Sequence, residues 1–367
     1  VAEDAGETHQ KTVFAAPFKG RFTLRKGQNM PLKDCTGFVG RRLLIQDLPN
    51  EREARNAVFI PPGNGPEWGL FAPSGRSVPE AMVYTGAGGL HTPLCSRTTQ
   101  TLPECPVASD AFDYVFVGNL DPSYAYFLAK SFSRLWSLPA YRRSGLRVVF
   151  SSSHSIAQLM QQDYFRLIVT ALGLSEQNFL QVVAPLRFPR IRVAAAAFEE
   201  LSLIHTVFAD LAHHVGRQVL PEGAQVQPGR VLFFSQETLK QGNVRVENEA
   251  VLTAALRERG VGIIHPHQMT FRDQLKLWAS NPLVIAYNDA CLHTSIFFPQ
   301  RRVITLAHGS DMWVNHCLVD MANGNDARYL HDTAGLEPVG AGHGFHMNYR
   351  IPDPEGLASE LVEFALG

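Results

Sequence analysis

Between Gly229 and Leu306 the chain alternates between two kinds of pattern. Short, largely apolar runs (Val231–Phe234, Val261–Ile264, Leu283–Tyr287 and Arg302–Leu306) are separated by segments whose apolar positions recur at helical spacing. Short apolar runs bounded by polar turns read as strands buried on both faces. The alternation of strand and helix predicts an α/β fold with a parallel sheet, whose ligand lies beyond the carboxyl ends of the strands. Ser235-Gln236 closes the first of these strands and Asn288-Asp289 the third. Arg245 falls in the loop after the first strand, and Asn248-Glu249 at the start of the next helix. A helix start presents unpaired N–H groups and a positive dipole end, which suits a phosphate, and an arginine adds a two-pronged contact to a diphosphate. Asn248 and Glu249 fit an ordinary capping role equally well. Thr270 and Asp273 have the spacing of a reciprocal cap on the following helix.

Upstream, the same reading gives a second α/β part. Tyr114–Gly118, Leu146–Phe150 and Phe179–Val183 predict strands. A helix is expected from Asp121-Pro122 to about Leu138, with Asp121 as its cap and Pro122 as its first residue. Tyr124, Phe127, Leu128, Phe132, Leu135 and Trp136 form its apolar stripe. Tyr126, Lys130 and Arg134, each four apart, share another face, which reads either as a solvated edge or as the lining of a cleft. Further helices are expected over 155–172, ending at Gly173, and over 198–217. Ahead of residue 110 prolines and glycines are dense, with short strands at Arg42–Ile45, Ala57–Ile60 and Ala81–Tyr84 and loops at 61–69 and 86–89. Residues 1–30 read as a loose polar leader, and Leu220–Gly229 as a linker. Past Leu306 the pattern predicts helices over 312–322 and 354–366 and a loop over 335–344. The resulting division is 1–110, strand- and loop-rich; 111–222, a first Rossmann-like domain; and 223–367, a second one with a terminal helix.

Composition narrows the function. The chain of 367 residues is 45% hydrophobic and 18% charged, with a net charge of −1. No basic excess points to nucleic acid or to an anionic membrane. No apolar run reaches the roughly 20 residues of a membrane span. Five scattered cysteines without close C-x-x-C spacing indicate neither a zinc site nor a disulfide framework, and read as free thiols in a reducing compartment.

Several chemistries lack their motifs. No G-x-S-x-G elbow, P-loop or G-x-G-x-x-G fingerprint occurs. No two of the 14 histidines stand four apart on a helix with a glutamate, as a zincin requires, although His265-Pro266-His267 directly follows a strand. No D-x-D cluster suggests a metal-bridged nucleotide sugar.

Three landmarks occur in order: the helix Tyr124–Trp136 (YAYFLAKSFSRLW), Ser235-Gln236 followed by Arg245-Val-Glu-Asn-Glu249, and Met269–Ser280 (MTFRDQLKLWAS) followed by Asn288-Asp289-Ala290. Together they resemble glycosyltransferase family 61 over residues 113–361. The resemblance implies an inverting, metal-independent sugar transfer on a GT-B scaffold, two Rossmann-like domains facing across a cleft. It places the nucleotide-sugar donor on the second domain and a glycan or other hydroxyl acceptor mostly on the first. Carried onto this chain, Asp121, Tyr126 and Lys130 fall on the catalytic side, with Asp121 as the base. Ser235, Gln236, Arg245, Asn248, Glu249, Asn288 and Asp289 fall on the donor side. No metal or cofactor is expected, the setting is cytoplasmic or peripheral to membrane-linked glycan synthesis, and homo- or hetero-oligomers both stay open. The chain departs from bacterial members at Tyr126 (their histidine), Lys130 (their glutamate), Gln236 (their arginine) and Asn288-Asp289 (their His-Gly). Gln236 cannot neutralise a phosphate as arginine does, and an ionised Asp289 would repel one. The alternative reading is therefore a family member without catalysis that binds a glycan or serves as a partner scaffold.

Overall fold

A computed structural model describes residues 12–14, 32–86, 92–140, 145–222, 229–342 and 344–366. The chain forms two compact units. One comprises Val1–Pro17, Arg41–Leu159 and Leu172–Leu211, the other Phe18–Gly40, Met160–Ala171 and Ala212–Gly367.

The second unit is built on a six-stranded sheet in the order Gly262–Ile264, Val231–Phe234, Leu283–Tyr287, Arg302–Ala307, Asp326–Asp332, Leu32–Asp34. The first five strands are parallel and the last is antiparallel. Numbered along the chain, the parallel strands lie in the order 2-1-3-4-5, so the topology reverses beside Val231–Phe234. Side chains alternate across the pleat, as period-two geometry requires. Phe233, Ile285, Tyr287, Ile304 and Leu306 bury against Leu252, Leu256, Leu357 and Leu361 on one face. Leu232, Phe234, Val284, Ala286 and Val303 bury against Trp278 and Leu292 on the other. Double-sided burial is why these strands are continuous apolar runs.

Helices Glu249–Glu258, Phe271–Ala279 and Asn315–Asn323 and the 3₁₀ segment Ala290–Phe297 connect the parallel strands, and Pro354–Leu366 forms the terminal helix as expected. The Thr270 hydroxyl caps the helix by accepting the Asp273 amide at 3.1 Å, and it donates to the Asp273 carboxylate at 2.7 Å, so the side chains bond each other and the return bond to the Thr270 amide that the spacing predicts is not made. Two expected loops are strands instead. Gly242–Val246, which carries Arg245, pairs with Phe345–Arg350, and Glu337–Gly342 pairs with the other edge of Phe345–Arg350. Glu337–Gly342 is an exposed edge strand containing a proline and, at Gly340 and Gly342, positive φ angles of 102° and 155°, so its composition reads as loop. The helix expected over 312–322 is a strand, Asp311–Trp313, followed by helix Asn315–Asn323.

In the first unit the sheet order is Phe179–Gln181, Leu146–Ser151, Asp113–Asn119, Leu186–Ala194, Glu51–Ile60, Gly69–Phe71. The first three strands are mutually parallel. Leu186–Ala194 pairs in parallel with Asp113–Asn119 and antiparallel with Glu51–Ile60. Phe59, Tyr114, Phe116, Val149, Phe188 and Val193 form its core.

Four expectations change here. The segment expected as one helix over 198–217 is a hairpin, Phe198–Glu199 with Leu203–His205, followed by helix Thr206–Val219. Phe198, Leu201 and Ile204 are all buried at three-residue spacing, which imitates a helical stripe, but Leu201 takes a φ of 58° and turns the chain back. The helix over 155–172 is two, Ile156–Gln161 and Asp163–Ala171. Of the strand expected over 81–84 only Tyr84 is in one, the two-residue strand Tyr84–Thr85, while Ala81 ends a 3₁₀ turn, Pro79–Ala81. The helix after Asp113–Asn119 starts at Tyr124, not at Pro122, because Asp121 Oδ1 accepts the Ser123 amide at 2.8 Å and makes a turn ahead of it.

That helix is irregular along its whole length. An α-turn at Tyr124–Tyr126 widens to π geometry over Phe127–Ser131 and tightens to 3₁₀ geometry over Phe132–Ala140. The winding carries Arg134 off the face of Tyr126 and Lys130 and into the interior, where it is 0% exposed. Its guanidinium donates to the carbonyls of Glu80 at 2.5 Å, Met82 at 2.6 Å, Ala194 at 2.8 Å and Ala81 at 3.4 Å. Burial lowers its pKa to about 10, so it stays charged at neutral pH. Arg134 is a carbonyl clamp, not part of a solvated edge or a cleft lining. The loose leader of residues 1–30 lies outside the described residues, save for Thr12–Phe14, which pairs with Leu43–Ile45. Residues 87–89 of the glycine-rich loop and 223–228 of the linker also lie outside them.

Candidate functional site

At the carboxyl ends of the second unit's strands, polar side chains converge. Ser235, 1% exposed, extends the pairing of the first strand through its amide to the Ile264 carbonyl at 2.8 Å. The next amide, that of Gln236, donates to Glu249 Oε1 at 2.9 Å, and the Ser235 side chain also bonds the Glu249 carboxylate. The Gln236 side chain donates through Nε2 to Asp289 Oδ2. One glutamine thus bridges two acids, one at the first turn of a helix and the other just past the third strand. Asn288 donates its amide to the Leu306 carbonyl at 3.0 Å and holds that turn on the fourth strand.

Burial sets the charge of the cluster. Glu249 is 1% exposed, and burial pushes its carboxyl up to about 7, with the Gln236 amide and Ser235 pulling it partly back. Burial likewise raises Asp289. A carboxyl protonated near neutrality donates a hydrogen bond instead of only accepting one. The cluster is therefore less anionic than its sequence suggests.

Among the described residues, three polar atoms here are buried without a partner: Gln236 Oε1, Tyr287 OH and His308 Nε2. They belong to residues at the ends of the first, third and fourth parallel strands. The Tyr287 ring stacks on His308 at 5.7 Å and 12°, and His308 on Tyr349 at 5.5 Å and 24°. Burial lowers the His308 pKa to about 4, so its ring is uncharged at neutral pH. Beyond the first and second strands, Gln268 donates to the Thr238 hydroxyl at 2.8 Å, and that hydroxyl shares a hydrogen bond with His267 Nε2 at 2.8 Å. Burial, and then neighbouring His265, lower the His267 pKa.

Of the donor-side residues read from the sequence, Ser235, Gln236, Glu249 and Asp289 come together, with Asn288 adjoining. Two do not join that hydrogen-bonded group. Arg245 lies on the Gly242–Val246 strand with its guanidinium 5.8 Å from the Phe345 ring. Asn248 spends both ends of its amide on the Ile351 backbone, at 2.8 and 2.9 Å, and makes no side-chain cap. Tyr287, His308, Tyr349 and Thr238 went unread in the sequence. His267 carried a signal, the H-P-H following a strand, but no assigned role.

In the first unit Lys130 sits with its Nζ 3.9 Å from the Tyr126 ring centre. Lys130 lines a cavity of about 10 Å³ with Glu199 and Glu200. Asp121 lines a different and larger one, of about 360 Å³, at the ends of the Asp113–Asn119 and Leu146–Ser151 strands. Among the described residues no helix is long and apolar enough to cross a membrane.

A 2-1-3-4-5 parallel sheet with a polar cluster at the point of topological reversal defines the class as α/β, with the cluster where ligands of such sheets commonly bind. The family can be stated as well. The model of glycosyltransferase family 61 matches residues 99–305, more than half of the chain, and the protein belongs to that family. No curated protein matches the sequence as a relative.

Proposed function

We propose that the protein is an inverting, metal-independent glycosyltransferase of GT-B type that moves a sugar from a nucleotide-sugar donor to a hydroxyl acceptor. The observation that carries the reading is the polar cluster at the topological reversal of the second unit, with Gln236 Oε1, Tyr287 OH and His308 Nε2 buried and unpartnered. Buried polar atoms without partners are costly and mark a place where a ligand supplies the missing bonds. The cluster would hold the nucleoside diphosphate, with the raised pKa of Glu249, about 7, limiting repulsion of its phosphates.

In the transfer, Asp121 takes the proton of the acceptor hydroxyl as the acceptor oxygen bonds the anomeric carbon. The bond from that carbon to the diphosphate oxygen breaks on the opposite face, and the nucleoside diphosphate leaves with the electron pair. Arg245, the cation among the donor-side residues, supplies positive charge to the leaving group. No cofactor takes part, and a cytoplasmic setting next to membrane-linked glycan synthesis fits this role.

Calorimetry with a panel of nucleoside diphosphates and nucleotide sugars tests the reading. At least one should bind, and Arg245→Ala should weaken it about tenfold. A folded protein that binds none of them would sink the assignment, and unchanged affinity in the variant would remove Arg245 from it.

A further inference from the structure

The 360 Å³ cavity of the first unit has a lining unlike that of the nucleotide cluster. Its polar side chains are Asn119, Asp121, Ser151, Ser152 and Ser153, and its apolar walls include Pro61, Pro62 and Val183. None of its lining residues carries a positive charge. From this lining we infer that the cavity binds an uncharged saccharide, and that this unit selects neutral over acidic glycans as acceptors. The inference rests on the glycosyltransferase reading only for the word acceptor; the ligand class follows from the lining.

Size and chemistry agree. The volume lies at the lower end of the roughly 300–1,000 Å³ of small-molecule pockets. Hydroxyl and amide groups can both donate and accept, as sugar hydroxyls require, while proline and valine present apolar surface to the C–H faces of a sugar ring. A lone carboxylate without a cation disfavours uronates and phosphates by like-charge repulsion.

The cavity is also held in shape before any ligand arrives. Gln181 Nε2 donates to the carbonyls of Ser152 and His154, both at 3.1 Å, and the His154 amide donates to Ser152 Oγ at 3.1 Å. Asn64 Nδ2 ties two walls together through the carbonyls of Val183 at 3.1 Å and Pro61 at 3.4 Å. Gly118, with a φ of 83°, sits where the register between the two strands slips, and the slip re-aims the strand end that carries Asn119. Preorganisation of this kind spares ordering entropy on binding.

The test uses the whole chain and calorimetry with neutral gluco-, manno-, xylo- and galacto-oligosaccharides, and with oligogalacturonate of equal length. At least one neutral series should bind, and oligogalacturonate should bind at least tenfold more weakly. Val183 lines the cavity, yet its side chain is 71% exposed, so Val183→Trp narrows the site without disturbing the core. That variant should lose neutral-glycan affinity at least tenfold, whereas Leu48→Trp, at a position 60% exposed and outside the lining, should not. Asp121→Asn should retain glycan affinity while losing transfer. The inference is overturned if no neutral series binds, if oligogalacturonate binds as well, or if Val183→Trp binds like the parent. Nucleotide titrations on the same samples judge the enzymatic reading separately: glycan binding without nucleotide binding would sink that reading and leave the saccharide site standing.

Discussion

Beyond its strand ends the second unit is closed over by side chains that bond to one another: Gln236 reaches Glu249 with its backbone and Asp289 with its side chain. The first unit opens there into a cavity ringed by serines and one carboxylate. The two places are built from similar supersecondary pieces, yet one is buried and electrostatically perturbed while the other is roomy and carries a single carboxylate and no cation. The difference teaches that a parallel sheet fixes where a ligand goes but not which ligand, since that is set by the side chains just past each strand. It also shows where each unit stores its costly polar groups. In the second unit some lie at the strand ends and others, such as Asp320 and His316, on the helix Asn315–Asn323, and in the first the largest is Arg134, inside the core.

Exchanging Arg134 for methionine is the most severe way to break the comparison. The substitution keeps the volume and strands four carbonyls, each costing roughly 1–3 kcal/mol if unsatisfied. Relaxation recovers part of this, so a loss of about 3–4 kcal/mol is expected in denaturant unfolding. A loss under about 1 kcal/mol would show that the clamp is not what holds the first unit.

Glu249→Gln probes the corresponding cost in the second unit. The folded-state pKa of about 7 exceeds the ordinary value of 4.5, so the native protein binds this proton more tightly than the unfolded chain does. Stability from this group is therefore fully present below pH 4.5 and is lost as pH rises to about 7, by up to about 3 kcal/mol. The glutamine variant keeps the acceptor for the Gln236 amide and should lose that slope, gaining stability over the parent above pH 7. Parallel stability–pH curves for parent and variant would contradict the burial of an ionisable Glu249.

How much of this was legible in the sequence follows from locality. The strands from Val231 to Ala307 were legible because burial on both faces writes an unbroken apolar run. Leu186–Ala194 was not, because Arg187, Pro189, Arg190 and Arg192 interrupt its alternation and the strand is recognisable only by its partners. The gathering of Ser235, Gln236, Glu249 and Asp289 could be anticipated from strand-end positions alone. The stack of Tyr287, His308 and Tyr349 could not, since it joins side chains far apart in the chain. Arg134 was misplaced because four-residue spacing marks a common face only in a regular helix, and this helix changes its winding twice.

A smaller effect separates a structural from a ligand-facing residue at the same strand ends. Asn248→Ala removes two bonds to Ile351 that tie the start of the Glu249–Glu258 helix to the chain after Phe345–Arg350. At about 1 kcal/mol per bond, the loss should be roughly 2 kcal/mol. Nucleotide affinity measured where the variant is fully folded should stay within about twofold, and a tenfold loss there would return Asn248 to the donor site.

Tyr287→Phe carries the smallest expected change and the most discriminating one. The Tyr287 hydroxyl is buried and unpartnered, so the free protein bears its desolvation without return. Removing it should leave stability unchanged or raise it by up to about 1 kcal/mol, because a hydrogen-bonding group without a partner is a cost to the fold. If a nucleotide completes that hydroxyl's bonding, the same variant should bind it about five- to tenfold more weakly. Opposite signs for stability and affinity are the mark of a site whose polar groups wait for a ligand. A variant that loses stability while keeping its affinity would show that the hydroxyl belongs to the core, and would shift the reading of the strand ends back onto Gln236 and His308.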